Sequence, residues 1–487
     1  MAVAAGIGCT LVVTEDGNLC SFGDNEMGHL DVGDFHAHGE PFILNYIDAF
    51  DGHEVVMVAC GGTFCACVTK DGSLWKWGIA MGWMLDDSDD EEDDDVAPNR
   101  CTPKKVCMSR HGNSPVVMVA CGNGFMLILT AAGRIWSHGS GGEFELGHGN
   151  NEPCSEPTCI DPARFDGAEI AMISAAGSHC MAVSKTDGRV WTWGCNVSGQ
   201  TGVGKPDFNV QIPTLIPPAD LDGGVVAFVS CGYNFSMLVT VDGVLWSCGC
   251  NLFNEIGLGE DIAQSNIFRR IGGDEYFGAG GVRMVSCGST HSVILAQNRS
   301  VWCCGSNEDG ELAKPFLSSA VPFLVDRGHF YNVNSELSSD NDVMVVAAGR
   351  RFSVAITSGG LVYTWGRHHD PPLRPTGRVV QERPIDTHGL IHMLAEGALG
   401  FAGNTTDYAR AGRWHEANRA RTIAFAMGTH EHFANDAATG GATAYSADFP
   451  EELLQDMFHR MCFAVREGSG DGVQSMLGVG TARRPPP

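Results

Sequence analysis

Three pairs of histidines have the residue type and the short spacing that metal binding could use. Imidazole nitrogen is a common ligand of Zn²⁺, and a zinc site needs at least three protein ligands. No third ligand accompanies these pairs, and the sequence "HEH" differs in spacing from the helical motif of zinc proteases. We therefore interpret the histidines as solvated loop residues. The pairs are His36 and His38, His368 and His369, and His430 and His432.

Cysteine pairs are a second set of candidate ligands. Their spacing, with one or no residue between, differs from the two-residue spacing of common zinc sites. In a strand, residues i and i+2 share a face, which favours packing over chelation. The chain has 19 cysteines, mostly inside apolar runs such as "VVMVACGG", so we expect reduced, buried thiols. The pairs are Cys65 and Cys67, Cys248 and Cys250, and Cys303 and Cys304.

The sequence provides no catalytic constellation. We find no Ser-His-Asp set to argue for, and no glycine loop of the kind that holds phosphates, because the glycines belong to turns. We therefore predict a protein that is not an enzyme and that has no catalytic residue, metal site or cofactor.

A regular pattern of glycines must position the rest of the chain. In seven copies, a first glycine follows an apolar run, a second lies in a turn, and a third follows an aromatic alternation, always at the spacing of Gly61, Gly72 and Gly78. Arg299 replaces the turn glycine in the sixth copy, and successive copies start at nearly constant intervals. Such self-similarity indicates a repeat protein. The first glycines are Gly6, Gly61, Gly122, Gly177, Gly232, Gly288 and Gly349, and the third are Gly23, Gly78, Gly139, Gly194, Gly249, Gly305 and Gly366.

Each copy predicts four strands. In the second copy, "VVMVACG" (55–61) and "TFCACVT" (63–69) are short apolar runs, and "SLWKWG" (73–78) alternates apolar and polar residues. A proline-led segment, such as "EPFILNY" (40–46) in the first copy, supplies the fourth strand. Four strands in about 55 residues make a propeller blade. We therefore predict an all-β, seven-bladed β-propeller over residues 1–390.

We expect a late strand to close the ring. The spacing from Gly366 to Pro384 equals the spacing from Gly23 to Pro41. An open ring would leave two unpaired sheet edges. The first copy has no room for a proline-led strand before Gly6, so the segment near Pro384 is expected to complete that sheet.

The chain is strongly acidic, with 31 basic and 58 acidic residues. The run "DDSDDEEDDD" (86–95) contributes nine acids, and the remainder is still acidic. Such a surface repels phosphate backbones, which argues against direct nucleic-acid binding. We predict no membrane span, because no uncharged apolar stretch is long enough, and the N-terminus lacks the basic segment of a secretion signal. We expect a cytoplasmic protein, and a nuclear location is also compatible.

Several segments lie outside the repeats. Residues 82–100 form an acidic loop insertion, in which Ser88 has the surroundings that an acid-directed kinase could recognise. Residues 391–468 lose the glycine pattern and predict a small helical appendage, and residues 469–487 predict a flexible tail. A helix is expected over 447–468. Its apolar stripe, a candidate partner-binding face, consists of Leu453, Leu454, Met457, Phe458 and Met461.

The repeats resemble those of the regulator of chromosome condensation family. The segments "DGRVWTWGCNVSGQTGVG", "DGSLWKWG" and "DGVLWSCGCNLFNEIGLG" carry the resemblance, which covers about four fifths of the chain. It implies a seven-bladed propeller. The family includes an exchange factor for the small GTPase Ran that docks on chromatin, domains of ubiquitin ligases, a plant ultraviolet-B photoreceptor and many scaffolds.

Resemblance to the exchange factor implies a wedge that protrudes from the propeller. Segment 250–261 is distantly similar, but every copy carries some version of that loop. Resemblance to the photoreceptor implies clustered tryptophans flanked by arginines. In this sequence, "WGRHHD" (365–370) is the segment most similar to that pattern. Most tryptophans occupy repeat positions, where blade packing explains them. The segment "FPEELLQDMF" (449–458) resembles the first helix of an F-box, which recruits ubiquitin-ligase scaffolds.

We predict a non-enzymatic scaffold or adaptor whose partners are other proteins. One alternative is a guanine-nucleotide exchange factor or regulator acting on a Ran-like small GTPase. The other is a ubiquitin-ligase substrate adaptor that works through the helix at 447–468.

Overall fold

The structure is a computed structural model in which seven four-stranded antiparallel sheets are arranged as the blades of a propeller. The predicted fold is confirmed. The described residues are 2–14, 17–25, 28–30, 38–44, 50–78, 102–108, 114–205, 209–272, 276–278, 280–314, 318–326, 330, 342–367 and 385–386.

Each blade uses four consecutive strands, from an inner strand to an outer one. Blades 1 to 4 consist of β1 Ala2–Ala5, β2 Cys9–Val13, β3 Leu19–Gly23, β4 His38–Leu44; β5 Val55–Cys60, β6 Phe64–Thr69, β7 Leu74–Gly78, β8 Lys104–Lys105; β9 Val116–Cys121, β10 Phe125–Thr130, β11 Ile135–Gly139, β12 Cys154–Cys159; and β13 Ile170–Ala176, β14 His179–Ser184, β15 Val190–Gly194, β16 Val210–Leu215. Blades 5 to 7 consist of β17 Val226–Cys231, β18 Phe235–Thr240, β19 Leu245–Cys250, β20 Gln264–Arg270; β21 Val282–Cys287, β22 His291–Ala296, β23 Val301–Ser306, β24 Ser318–Leu324; and β25 Val343–Ala348, β26 Phe352–Thr357, β27 Val362–Gly366, β28 Ile385–Asp386. Two 3₁₀ turns, Pro162–Phe165 and Pro218–Leu221, follow the outer strands of blades 3 and 4.

The hairpin between the second and third strands needs a left-handed residue. Gly72 in blade 2 has φ of +80°, a conformation that glycine adopts without steric cost. The Asp71 carboxylate beside it accepts hydrogen bonds from the Thr69 hydroxyl at 2.6 Å and the Ser73 amide at 3.2 Å. Arg299, at the turn position of blade 6, takes the same conformation with φ of +68°. The departure in the sixth copy therefore preserves the turn, at a cost of about 1 kcal/mol.

Blade 4 is offset by one residue from the other blades. His179 pairs with Gly194, whereas the equivalent partners in the other six blades are one residue closer together in the chain. The residue three positions before the paired residue is a glycine in those six blades and Ala176 in blade 4. In blade 4 the turn between β13 and β14 is one residue shorter than in the other blades and begins at Gly177, where φ is +50°. The following hairpin is one residue longer, so the glycine spacing stays constant.

The ring closes through its inner strands. β1 of blade 1 packs beside β25 of blade 7. The Arg350 amide donates to the Gly6 carbonyl at 2.9 Å. The same kind of bond joins other neighbouring blades, as in Tyr233 to Gly288 at 3.2 Å. The junction between the first and last blades is therefore built like the others.

The expectation that the Pro384 segment completes the sheet of Gly6 is wrong. β28 pairs with β27 of its own blade, with Ile385 opposite Thr364. Blade 1 takes all four of its strands from residues 2–44. The outer strand follows the aromatic strand in each copy, so the first copy has its own outer strand and borrows none.

Candidate interaction surface

The loop between the third and fourth strands is held by one asparagine in several blades. In blade 5, the Asn251 carbonyl oxygen Oδ1 accepts from the Ile256 amide at 3.1 Å, and its Nδ2 donates to the carbonyls of Gly259 at 3.0 Å and Ile262 at 2.6 Å. One side chain thus satisfies three backbone groups that would otherwise need water. Its counterparts are Asn25, Asn196 and Asn307, which accept from the amides of Leu30, Thr201 and Leu312.

A buried acid or amide four residues after the asparagine anchors the same loop. In blade 5, the Glu255 carboxylate accepts from the Phe253 amide at 2.7 Å, and in blade 4 the Gln200 amide oxygen accepts from Ser198 at 2.9 Å. Burial raises the pKa of Glu255 and raises that of Glu311 in blade 6 to about 7. Burial therefore favours the protonated form of both carboxyls, whose role in the loop is structural.

The next blade also holds each loop. The indole Nε1 of Trp193 in blade 4 donates to the Glu145 carbonyl of blade 3 at 2.8 Å, and Trp365 donates to Glu311 at 2.7 Å. The Ser292 hydroxyl of blade 6 donates to the Glu255 carbonyl at 2.8 Å. The repeated tryptophans thus have the structural role predicted for them, and they fix the loops as well as the blades.

These loops lie on one face of the ring, together with the turns that follow the first glycines. The Cys250 amide at the start of the blade 5 loop donates to the Asn234 carbonyl of the inner turn at 2.9 Å, and Ser306 donates to Thr290 at 2.8 Å in blade 6. We call the surface made by these loops and turns the loop face. In the described loop of blade 5, hydrogen bonds hold the backbone at both ends, so the loop presents its side chains in fixed positions.

Four exposed apolar or aromatic side chains mark the loop face of two adjacent blades. The exposed fraction is 74% for Leu252 and 46% for Phe253 in blade 5, and 57% for Val197 in the matching loop of blade 4. Tyr233, in the inner turn of blade 5, is 51% exposed. We call these residues the blade 4–5 patch. Large apolar side chains held in water in this way mark interaction sites.

From the sequence, segment 250–261 was noted only for a distant similarity to an exchange wedge, and this patch was not predicted. The matching loop position in blade 6 is the exposed Glu308, so the repeat pattern alone does not predict an apolar tip. The signal was present in "CNLFNEIGLG", where two large apolar residues follow the clamping asparagine.

The predicted packing role of the cysteine pairs agrees with their burial. Cys65, Cys67, Cys248, Cys303 and Cys304 have no measurable exposure, and burial raises the pKa of the Cys65, Cys248 and Cys303 thiols well above the usual value. Such thiols are poor nucleophiles. Cys65 also contacts Cys9 and Cys60, a grouping that spacing within one strand could not show.

The remaining sequence predictions fall outside the residues whose side chains the structure describes. Across the described part of the chain, no helix combines the length and the apolar character needed to cross a membrane. The predictions that stay untested concern Ser88, the acidic insertion, the helical region with its stripe Leu453, Leu454, Met457, Phe458 and Met461, and the histidines His36, His38, His368, His369, His430 and His432.

Comparison with known proteins agrees with the architecture. The chain is 25% identical over 371 residues to the ultraviolet-B receptor UVR8 of Arabidopsis thaliana, with 75% of this chain and 77% of that protein covered. It is 24% identical to the guanine nucleotide exchange factor SRM1 of Saccharomyces cerevisiae, with 72% and 77% covered. The crystal structure of Prp20p from the same yeast, described with its binding to Gsp1p and histones, superposes with a TM-score of 0.58 at 23% identity, covering 72% of this chain and 81% of that one.

Family models match most of the chain directly. The RCC1-like domain matches residues 1–333, and the RCC1 repeat matches residues 345–370, which include the last blade's third strand. The two matches meet at the seventh blade, as expected if one repeat runs through the whole ring. The chain therefore belongs to the family of RCC1-like propeller proteins.

Proposed function

We propose that this protein is a non-enzymatic scaffold or adaptor that binds partner proteins through the blade 4–5 patch of its loop face. The observation that carries the proposal is the exposure of Leu252 and Phe253 on a loop whose backbone is held by Asn251 and Glu255. A loop fixed before binding loses little conformational entropy when a partner docks.

The composition of the patch suits protein recognition. The buried centre of an interface is apolar, and aromatic side chains are enriched there and often carry much of the binding energy. The acidic balance of the chain disfavours nucleic acid and favours partners with a neutral or basic rim. We therefore expect the patch to supply the apolar centre of the interface and the surrounding acids to speed association.

A matched pair of variants tests the proposal. Leu252→Ser with Phe253→Ser removes the apolar tip, while Glu308→Ser changes the matching position of blade 6. Full-length chains carrying a tag are expressed in cells, and co-purified proteins are quantified against the unmodified chain. We expect the double variant to lose most of the stoichiometric partners and Glu308→Ser to keep them. Equal recovery by both variants would reject the patch as the binding surface.

A regulator of a small GTPase is the second candidate. It is favoured by the clamped loop 250–261, which projects apolar side chains as an exchange wedge would, and by similarity to a relative named as an exchange factor. Release of a fluorescent GDP analogue from a panel of Ran-like GTPases tests this role. Acceleration that the double variant abolishes would support it, and no acceleration by the unmodified chain would reject it. The ubiquitin-ligase role of the helix at 447–468 stays a prediction.

A further inference from the structure

A cluster of three thiols lies between blades 1 and 2. Cys9 comes from β2, and Cys60 and Cys65 come from β5 and β6. The Sγ atoms of Cys9 and Cys65 are 3.9 Å apart, those of Cys60 and Cys65 are 3.7 Å apart, and all three lie within 4.8 Å of one another. Tetrahedral zinc with zinc–sulfur bonds of about 2.3 Å holds its sulfurs about 3.8 Å apart. The cluster therefore already has the sulfur spacing of a zinc site.

The seven repeats show that this cluster is a local departure from a common pattern. At the position that pairs with the third glycine, the other blades have phenylalanine or histidine, and blade 1 has Cys9. In blades 4 and 6 this position makes a hydrogen bond to the next blade. His179 Nε2 lies 2.7 Å from Ser236 Oγ, and His291 Nε2 lies 2.9 Å from Ser353 Oγ. Between blades 1 and 2, the same contact joins the thiols of Cys9 and Cys65.

Cys9 and Cys65 are two departures from the repeat, and a third occurs in the loop between β3 and β4 of blade 1. Four residues after the clamping asparagine, blades 4, 5 and 6 have Gln200, Glu255 and Glu311, whereas blade 1 has His29. The backbone of His29 keeps the structural role, since its carbonyl accepts from Trp77 Nε1 at 2.7 Å. Its ring, however, is 2% exposed, and neither ring nitrogen has a hydrogen-bond partner among the described residues.

A buried imidazole without a partner is energetically costly unless something else satisfies its nitrogens. The ring of His29 belongs to the loop after β3 in the blade of Cys9, and it lies outside the group of three sulfurs that are within 4.8 Å of one another. Three departures from the repeat, at Cys9, Cys65 and His29, thus occur at the junction that also contains Cys60, and the three sulfurs form one group there. Packing alone gives no reason for that combination.

We propose that Cys9, Cys60 and Cys65 bind one Zn²⁺ ion between blades 1 and 2, and that the ring of His29 turns toward the three sulfurs to supply the fourth ligand. Three thiolates and one imidazole form a common closed set for structural zinc. Binding exchanges the remaining thiol protons for the metal and releases them to solvent. Because the ligands come from both blades, the ion joins the blade that begins the chain to its neighbour.

Metal content of the full-length chain tests the site. The protein is purified under reducing conditions, equilibrated with zinc, passed through a weak chelator and analysed by mass spectrometry of the elements. We expect about one zinc per chain. Replacement of zinc by Co²⁺ should give the visible bands of tetrahedral cobalt together with thiolate charge-transfer absorption, a readout that does not depend on any activity.

The repeat itself supplies variants that should fold. Cys65→Ser installs the residue of blades 5, 6 and 7, and His29→Gln installs that of blade 4. We expect Cys65→Ser to lose the zinc and the charge-transfer bands, and His29→Gln to weaken zinc binding by more than about tenfold, the loss that even outer partners of a metal site can cause. Cys287→Ala, which changes the position of Cys60 in blade 6, is the matched control and should keep one zinc.

Several results would overturn the proposal. They are absence of zinc from the folded, unmodified chain, equal zinc content in Cys65→Ser and Cys287→Ala, binding of Cu⁺ but not Zn²⁺, and a disulfide among the three cysteines in protein kept under reducing conditions. Circular dichroism of each variant shows whether loss of zinc reflects loss of a ligand or loss of the fold.

Discussion

A single carboxyl in the blade 6 loop links the stability of the ring to pH. Glu311 is 2% exposed, and burial raises its pKa to about 7. Its carboxylate accepts from the Asp309 amide at 2.9 Å, and Asp309 in turn contacts Arg351. The folded state therefore favours the protonated form. The stability that this form contributes is complete below the unfolded pKa of 4.5 and is lost as the pH rises through about 7.

Glu311→Gln should remove this dependence. At pH 4.5 the free energy of unfolding of the variant should nearly equal that of the unmodified protein. As the pH rises to 7 and above, the variant should become the more stable of the two. The upper bound of the gain is ~3 kcal/mol, since each pKa unit corresponds to about 1.4 kcal/mol. Denaturant unfolding at several pH values measures this. Glu308→Gln, at an exposed carboxyl of the same loop, is the control. A constant difference between Glu311→Gln and the unmodified chain across this range would contradict the account.

At the residue scale, the sequence predicted the burial of the cysteines but not the burial of a carboxyl such as that of Glu311. Glu311 stands in "NEDGELA", which has the composition of a solvated loop. Its burial depends on Trp365 of the next blade, which binds the Glu311 carbonyl. Contacts between repeats decide such environments, and the sequence of one repeat does not contain them. For the same reason, the grouping of Cys9 with Cys65 could not be predicted from the sequence.

At the scale of the strand, the third glycine is required for two reasons. Gly249 has φ of +107°, and a Cβ atom there would lie 2.5 Å from the Cα of Phe235 on the paired strand. The strand therefore cannot carry a side chain at this position unless the hairpin moves. Gly259, in the loop that follows, has φ of +93° but no atom within 4 Å of such a Cβ.

Alanine substitution separates the two effects. Gly259→Ala carries only the backbone cost of about 1–2 kcal/mol. Gly249→Ala adds the steric overlap and should destabilise the protein by more than ~3 kcal/mol in total. Thermal and denaturant unfolding of both variants provides the measurement. Equal losses of stability would mean that the pairing strand yields freely and that the close approach has no energetic importance.

The elements were the most predictable level of this structure. The glycine spacing and the alternation in "SLWKWG" predicted β7 and its counterparts, because a strand's period and its turn are local properties. The offset in blade 4 escaped prediction because two opposite one-residue changes cancel between Gly177 and Gly188. Only the pairing of His179 with Gly194 reveals it.

At the scale of the whole molecule, blade number was predictable and closure was not. The proline spacing correctly placed an outer strand near Pro384, but spacing does not say which sheet that strand joins. The ring instead closes between β1 and β25, through the bond from Arg350 to Gly6. Every sheet in the described part of the chain lies between residues 2 and 386.

A chain of residues 1–390 should therefore fold as the full chain does, with a melting temperature unchanged within error. A chain of residues 1–341 lacks blade 7 and would expose the inner strands of blades 1 and 6, so it should aggregate or fail to unfold cooperatively. Calorimetry and light scattering compare the two. A large loss of stability in residues 1–390 would show that closure depends on the segment after β28.

The central functional claim is that partners dock on the blade 4–5 patch of a rigid ring. The most direct measurement places a photo-crosslinking amino acid at Leu252 in the full-length chain in cells, and at Glu308 as the matched position. The account predicts discrete covalent adducts with partner proteins from position 252 and few or none from position 308. Adducts of equal yield from both positions, or none from position 252 while partners still co-purify, would contradict it.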